Sequence, residues 1–170
     1  MKFSRLLFLV CVAVSIALAL RLWVCEAIFV ASGSMEPTLP VGTHLFVDKV
    51  TLRLRLPQRG DIVVFHSPTG QDRDLAKRII ALPGETVALR AKMVFIDGRE
   101  LDEPYAVHKR AGERLDGDEL GPMAVPPGEL FVLGDNRDES DDATVWKDAV
   151  GRPIHFIPSV GLKGLVRGAY

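Results

Sequence analysis

The feature that most constrains this chain is an uncharged, apolar stretch near its N-terminus, Leu6–Leu20. In a helix its 15 residues would extend about 22 Å, less than the roughly 30 Å hydrocarbon core of a bilayer. The stretch can still cross a bilayer if Arg21 extends its charge outward and Trp23 lies at the interface. Lys2 and Arg5 precede it, and this positive flank predicts a cytoplasmic N-terminus with the rest of the chain on the other side.

The same stretch has a second interpretation as a cleaved signal peptide. Lys2 and Arg5 would form its charged region, the leucines its apolar region, and Ala17-Leu18-Ala19 a small-residue cleavage site. The pattern alone leaves both interpretations open and favours the retained anchor. We therefore predict an anchor over residues 1–28 and a separate domain over residues 29–170.

The remainder of the chain is typical of β structure, because short runs rich in Val, Ile and Phe alternate with Gly, Pro and Asp. The dipeptide Asp97-Gly98 predicts a tight hairpin, and the polar segment Leu101–Met123 predicts an inserted or mobile loop. We expect a mainly β fold, a compact antiparallel sheet or barrel-like domain with one N-terminal transmembrane helix. The predicted strands are His44–Val50, Asp61–Ser67, Lys77–Leu82, Thr86–Leu89, Met93–Ile96, Leu130–Leu133 and Leu162–Val166.

One further run, Leu52–Leu56, alternates leucine with arginine. Strict alternation predicts a half-buried strand or a sheet edge. A second interpretation places the leucines at the membrane surface, with Arg53 and Arg55 near lipid head groups. The run follows closely on the predicted anchor, so the two interpretations are compatible.

Composition narrows the classes of partner and cofactor. Lys and Arg total 21 and Asp and Glu total 22, and this balance argues against a nucleic-acid partner. The two cysteines, Cys11 and Cys25, lie in or beside the apolar stretch, so the domain has no disulfide framework or thiolate metal site. The histidines are scattered without ligand spacing. We expect no metal and no other cofactor.

Three polar segments fit one another chemically: Ser32–Pro37, Ala76–Arg78 and Gly134–Ser140. A serine hydroxyl is a weak nucleophile and needs a base nearby. Lysine can be that base if its amine is neutral, although the pKa of a free lysine is about 10.4. Burial lowers that pKa, and the apolar Ile79-Ile80 beside Lys77 predicts such burial. The histidines lie in no context that suggests a catalytic base.

In these segments the chain resembles the bacterial type I signal peptidases, membrane-bound serine proteases with a Ser-Lys dyad. The resemblance runs from about Phe29 to Val166. Ser-Lys pairs are a known variant of the serine-protease triad. The segments that match are Ser32–Leu39, Arg59–Phe65, Lys77–Glu85 and Gly134–Asp142, with a weaker match over Phe95–Gly98 and Glu103–Tyr105.

The resemblance implies a role for each matching side chain. Ser34 attacks the scissile carbonyl and forms the acyl-enzyme, while Lys77 takes its proton and later activates the deacylating water. The oxyanion hole is formed by the backbone N–H of Ser34 and the hydroxyl of Ser32. Ser140 hydrogen-bonds the lysine amine and orients it.

An acidic cluster surrounds Ser140, with four aspartates at positions 135, 138, 141 and 142. Such residues can ligate Ca²⁺, but the spacing is not that of an EF-hand and Arg137 lies among them. We predict instead a structural network in which Arg137 pairs with neighbouring carboxylates. By the resemblance, Asp135, Arg137 and Asp142 support the active site.

Pocket residues follow from the same resemblance, which implies substrates with small side chains at the first and third positions before the cut. The chain departs from the family pattern at Ala31, which replaces a proline, and at Leu75 and Ala76, which replace larger residues. Ala143-Thr144 replaces a Ser-Arg pair, so Asp142 lacks the arginine partner of the family. The predicted pocket walls are Val30, Met35, Leu39, Leu75, Ala76 and Val132.

The resulting hypothesis is a membrane-bound serine endopeptidase that removes N-terminal signal peptides from exported preproteins. Its expected partners are preprotein signal peptides and the lipid bilayer. Its expected location is the bacterial cytoplasmic membrane, single-pass, with the catalytic domain on the extracytoplasmic side. The alternatives are a specialised Ser-Lys maturation peptidase of a conjugation or pilin system, a self-cleaving Ser-Lys regulator, and a non-catalytic tethered domain that binds peptides. No oligomeric state is predicted.

Overall fold

The N-terminal helix, α1, covers Lys2–Trp23 in the computed structural model, which describes residues 2–170. Its 22 residues extend about 33 Å, enough to cross the roughly 30 Å hydrocarbon core of a bilayer. Apolar side chains such as Leu6 and Phe8 are exposed along it. The part over Phe3–Trp23 is long and apolar enough to span a membrane, a test that a signal sequence near the N-terminus also meets.

The helix ends before the predicted anchor does. Strand β1 (Cys25–Phe29) follows it and pairs antiparallel with β2 (His44–Asp48). Residues 25–28, predicted to belong to the anchor, therefore lie in the sheet, and Met1 lies outside the described residues. We missed β1 because its side chains continue the apolar composition of the helix.

Nine further strands follow within residues 2–170, and all the strands together confirm the predicted mainly β fold. The strands are β3 Ile62–His66, β4 Asp74–Ala81, β5 Thr86–Arg90, β6 Met93–Ile96, β7 Arg99–Glu100, β8 Leu120–Ala124, β9 Glu129–Leu133, β10 Ile157–Pro158 and β11 Leu162–Ala169. The larger sheet has the order β1-β2-β11-β3-β4-β9-β10 and the smaller one β7-β6-β5-β8. Every pairing between neighbouring strands is antiparallel.

Lys77 lies at the centre of the larger sheet, in β4, between β3 and β9. In the pairing of β3 with β4, Lys77 lies opposite the fully buried Val63. The pairing of β4 with β9 begins only at Arg78, opposite Leu133. Among the described residues, Asp74–Lys77 is therefore paired along one side of its strand, and its other side is an open edge.

Two tight turns connect the strands of the smaller sheet. The predicted Asp97-Gly98 hairpin is present between β6 and β7, with φ of 50° and 77°. Ala91 and Lys92 form a second turn of positive φ between β5 and β6, at 48° and 71°. This turn lacks glycine, so its sequence gave no hairpin signal. The Lys92 amine lies 2.7 Å from a carboxylate oxygen of Asp138 and connects the turn to the segment Gly134–Ser140.

The alternating Leu52–Leu56 run is not a strand, and the prediction of a half-buried strand is wrong. Thr51–Leu54 forms a single helical turn, α2. One oxygen of Asp48 accepts hydrogen bonds from the backbone N–H groups of Val50 and Thr51, at 2.8 and 3.0 Å. These bonds satisfy donors at the start of the turn and favour helix over strand. Leu54 and Leu56 are left 80% and 84% exposed.

The segment predicted as a loop, Leu101–Met123, is irregular over most of its length but ends in a strand. Its residues from Leu120 onward belong to β8, which pairs with β5 at the edge of the smaller sheet. Pro122 concealed this strand, and proline is tolerated there because β8 is an edge. Earlier in the segment, Val107 forms a bridge with Asn136.

Candidate active site

Ser34 lies in a short 3-10 turn, Gly33–Met35, that follows β1. Met35 is buried, and its carbonyl accepts a hydrogen bond from the N–H of Leu39 at 2.9 Å, so the turn is fixed in the core. The hydroxyls of Ser32 and Ser34 are 3.4 Å apart. The turn thus presents two hydroxyls side by side on a rigid base.

Lys77 is buried in β4 with only 1% of its surface exposed. Its amine donates a hydrogen bond of 2.8 Å to the hydroxyl of Ser140. Burial lowers the pKa of Lys77 to about 8, against 10.5 for a free lysine, although the carboxylates of Asp142 and Asp141 oppose the shift. At pH 7 about a tenth of the amine is therefore neutral, a far larger share than for a free lysine, and only the neutral form can act as a base.

Gly134 is the point at which the two halves of the site meet. A Cβ on this residue would overlap the Ser140 hydroxyl and the Ser34 carbonyl oxygen, and it would lie 2.6 Å from the Cβ of Ser140. Only glycine allows the Ser34 turn to approach Ser140, and with it Lys77, this closely. Among the described residues no direct hydrogen bond joins the Lys77 amine to the Ser34 hydroxyl. Such catalytic bonds are often formed only in the substrate complex.

Asp135 and Arg78 form a buried ion pair beside the Ser34 turn. The Arg78 guanidinium donates to both carboxylate oxygens, at 2.8 and 2.5 Å, and lies 3.9 Å from the centre of the Tyr105 ring. The Thr38 hydroxyl donates to the same carboxylate at 2.5 Å. Asp135 therefore links the strand of Lys77 to the chain that follows Ser34.

Arg137 does not pair with the neighbouring aspartates as we predicted. Its guanidinium donates to both carboxylate oxygens of Glu103, at 2.9 and 2.6 Å, and to the carbonyl of Gly134 at 3.0 Å. Glu103 lies 34 residues away in sequence, within the irregular segment. Its place in the weakly matching Glu103–Tyr105 block was the only sequence signal for this pairing.

Asp142 is buried, and its carboxylate accepts hydrogen bonds from groups other than the arginine of the family pattern. One carboxylate oxygen accepts from the backbone N–H of Gly134 at 3.0 Å, and the other accepts from the N–H and the hydroxyl of Thr144 at 3.1 and 2.9 Å. A Cβ on Gly117 would lie 2.8 Å from the Thr144 Cβ, so the irregular segment packs directly against this threonine. Sequence reasoning identified Asp142 but missed Thr144.

The remaining aspartates of the cluster point to different partners. Asp138 binds the amine of Lys92, and its second oxygen accepts from the backbone N–H of Arg110 at 2.5 Å. Asp141 lies at the surface, 3.3 Å from the guanidinium of Arg73. Each of the four carboxylates thus has its own partners, and among the described residues they form no cluster that could hold a metal ion.

A groove of about 210 Å³ runs beside Ser32 and Ser34. Five of the six predicted pocket residues line it, and β1 and the open edge of β4 supply further walls. Val132 does not line it, because the residue is fully buried in β9, opposite Ile79 of β4. The five are Val30, Met35, Leu39, Leu75 and Ala76.

The arrangement combines a hydroxyl, a buried amine and a shallow apolar groove beside an open strand edge. The family profile described as "Signal peptidase, peptidase S26" matches residues 3–168. The chain belongs to this signal peptidase family. Membership confirms the resemblance read from the motifs and makes the chain a serine endopeptidase by class.

Individual relatives agree with the family assignment. The chain is 42% identical over 145 residues to a probable signal peptidase I-1 of Synechocystis sp., covering 81% of this chain and 71% of that protein. It is 39% identical over 137 residues to a signal peptidase I of Bacillus amyloliquefaciens, covering 78% and 70%. A crystal structure of a signal peptidase I from Enterococcus faecalis matches with a TM-score of 0.50 and 33% identity, covering 65% of this chain and 97% of that one.

Proposed function

We propose that this chain is a membrane-anchored endopeptidase that removes N-terminal signal peptides from exported preproteins, with Ser34 and Lys77 as its catalytic dyad. The observation that carries the proposal is the buried Lys77 amine, whose pKa is lowered to about 8 and whose hydrogen bond to Ser140 holds it beside the Ser34 turn. Family membership supplies the reaction class, and the geometry supplies the base that a serine nucleophile needs.

Acylation begins when the neutral amine of Lys77 takes the proton of the Ser34 hydroxyl. The serine oxygen attacks the scissile carbonyl, and the oxyanion is held by the Ser34 backbone N–H and the Ser32 hydroxyl. The Lys77 ammonium then gives its proton to the leaving amine as the peptide bond breaks. In deacylation the same amine activates water, which releases the signal peptide from Ser34.

Substrates bind as an added strand beside the groove. The open edge at Asp74–Lys77 offers backbone groups to an extended peptide, and β-strand addition is a common mode of peptide recognition. Ala76 and Val30 leave the groove shallow, which suits small side chains at the first and third positions before the cut. Leu75 and Ala76 are smaller than the residues that the family commonly has at these positions. The groove therefore also accepts slightly larger substrate side chains.

Helix α1 supports the proposed membrane topology. The helix is long enough to cross a bilayer once, and Arg5 on its N-terminal flank favours a cytoplasmic N-terminus. The catalytic domain then lies on the extracytoplasmic side of the bacterial cytoplasmic membrane. Arg53 lies over the Trp23 ring at 5.5 Å, a contact that holds the domain against the end of the helix.

The test uses the full chain in detergent with a radiolabelled preprotein. We expect processing by the parent and loss of nearly all activity in Ser34→Ala and in Lys77→Met. Lys147→Met is the matched control, since this lysine is exposed and its side chain makes no hydrogen bond or ion pair among the described residues. Equal cutting by Lys77→Met would refute the proposed base, and cutting by Ser34→Ala would refute the nucleophile.

A further inference from the structure

Asn136 is the only asparagine in the chain and is completely buried beside the Ser34 turn. Its backbone N–H donates to the Ser34 carbonyl at 3.1 Å. Its side-chain amide donates to the Gly33 carbonyl at 3.0 Å and to the Glu139 carboxylate at 2.8 Å. One residue therefore binds two consecutive carbonyl groups at the proposed nucleophile.

The orientation of this amide follows from its partners. The Gly33 carbonyl and the Glu139 carboxylate are both acceptors, so the nitrogen of Asn136 must face them. Its side-chain oxygen has no partner among the described residues, although it is buried. A buried acceptor left without a partner is unfavourable, so the amide is placed for the two bonds that its nitrogen makes.

The Gly33 carbonyl shares a peptide group with the backbone N–H of Ser34. In a trans peptide these two groups point in opposite directions within one plane. Two donors hold the carbonyl, Asn136 at 3.0 Å and the N–H of Glu36 at 3.1 Å. The N–H of Ser34 donates to no other group in the described part of the chain, and it is left free to receive the oxyanion.

We propose that Asn136 is a positioning residue for the oxyanion hole. By binding the Gly33 carbonyl from behind, it sets the peptide plane whose opposite side carries the Ser34 N–H. The proposal rests on the proposed function, because it assigns the Ser34 N–H to the oxyanion. Asn136 and Ser140 are four residues apart in one segment, so the segment orients both the oxyanion donor and the Lys77 amine.

The test compares Asn136→Asp and Asn136→Ala with the parent full chain in detergent, using a signal-peptide substrate. We expect kcat to fall by about 10- to 100-fold, below the loss for removing an oxyanion donor itself, while KM stays within about twofold. In Asn136→Ala, which adds no charge, the pH midpoint of kcat/KM remains that of the parent, because Lys77 and Ser140 are untouched. Binding of a peptide aldehyde, whose adduct with serine carries the oxyanion, weakens in parallel with kcat.

Glu139→Gln is the matched control. It weakens the second bond of the Asn136 amide and leaves the bond to Gly33 in place, so kcat should change less than about threefold, as for an ordinary hydrogen bond at a half-exposed group. Unchanged kcat in both Asn136 variants, an equal loss in Glu139→Gln, or a fall in kcat matched by a rise in KM would each overturn the proposal. An inactive parent would instead contradict the proposed function.

A spectroscopic test does not depend on whether the variants fold. With asparagine labelled at its side-chain ¹⁵N, the parent chain gives a single pair of amide proton signals, since it contains one asparagine. We expect both protons to exchange slowly with solvent. Rapid exchange of the pair would show that the amide is not bonded to Gly33 and would refute the proposal.

Discussion

At the scale of single residues, the chemistry depends on how far burial shifts one amine. The neighbouring carboxylates of Asp142 and Asp141 favour the charged form of Lys77, and desolvation outweighs them. The result is a lysine whose pKa lies close to the pH at which a base has to work. The sequence suggested burial through Ile79-Ile80, but the size of the shift depends on every group packed around the amine.

The pH dependence of activity follows directly. The proposed reaction needs neutral Lys77, so kcat/KM should rise about tenfold per pH unit below the pKa of about 8 and level off above it. Initial rates on a signal-peptide substrate, measured with the full chain in one detergent across the pH range, give the midpoint. A midpoint near the ordinary 10.5 would mean that the amine is not desolvated in solution.

The same shift predicts an effect on stability. The folded chain binds the Lys77 proton less tightly than the unfolded chain, so below about pH 8 this residue costs about 3 kcal/mol, at 1.36 kcal/mol per unit of pKa. As pH rises from 8 towards 10.5, the unfolded chain loses its proton too and the cost disappears. Lys77→Met, which is close to lysine in length, should therefore be more stable than the parent at pH 7.

Urea unfolding of the parent and of Lys77→Met at pH 7 and above pH 10.5 checks this. The advantage of the variant should shrink as pH rises, while loss of the bond to Ser140 adds only a constant offset. A difference between the two proteins that is the same at both pH values would contradict the proposed burial of charge.

At the scale of elements, the segment from Gly134 to Thr144 organises the site. Its Asn136 hydrogen-bonds the Ser34 turn, and its Ser140 accepts a hydrogen bond from the Lys77 amine. Within the segment, the backbone N–H of Gly134 donates to the carboxylate of Asp142. The motif in the sequence identified the segment, but not its bonds. Each bond joins groups whose separation in the chain says nothing about their distance in space.

Gly134→Ala tests the close approach of this segment to the Ser34 turn. The added Cβ overlaps Ser34 and Ser140, so the segment must move, and overpacking of this kind costs about 1–3 kcal/mol of stability. We expect activity to fall by about a hundredfold, since misplacing a catalytic group by about 1 Å has that effect.

Gly121→Ala provides the control for this change. Gly121 has ordinary backbone angles, and an added Cβ there meets nothing within 4 Å. Its activity should equal that of the parent, assayed side by side on the same peptide. Full activity in Gly134→Ala would show that the two elements are farther apart in solution.

At the scale of the whole molecule, the question is how the domain sits against the bilayer. The exposed side chains of Leu54, at the end of α2, and Leu56, two residues later, lie close in sequence to Arg53, which contacts the ring of Trp23 at the end of α1. Helix α1 thus brings these leucines near the point where it leaves a bilayer. The second interpretation of the Leu52–Leu56 run, contact with the membrane surface, remains our prediction.

A fluorescent probe at residue 54 tests this placement in the full chain reconstituted into vesicles. Leu54→Cys, in a background with Cys11 and Cys25 replaced by serine, carries the probe, and lipids with a quencher in the head-group region report its depth. We expect strong quenching at position 54 and little at Val150→Cys, another exposed apolar position outside the α1–α2 contact. Equal quenching at both positions would remove the argument for membrane contact.

The sequence by itself predicted the groups to which we assign the chemistry, and it predicted most of the longer strands. Ser34, Lys77 and Ser140 were identifiable because their residue types occur in motifs, and the strands because burial imposes a local pattern of Val, Ile and Phe. A local pattern also gave a wrong prediction at Leu52–Leu56. The alternation of leucine and arginine predicted a strand, but the hydrogen bonds from the backbone to Asp48 favour a helical turn.

Only the tertiary structure decided which group each of these residues meets. Arg137 pairs with Glu103, 34 residues away in sequence, rather than with the aspartates beside it in the chain. The pKa of Lys77 likewise depends on packing from several strands. The physical reason is that ion pairing and desolvation act through distances in space, and those distances exist only once the sheets have closed around the side chains.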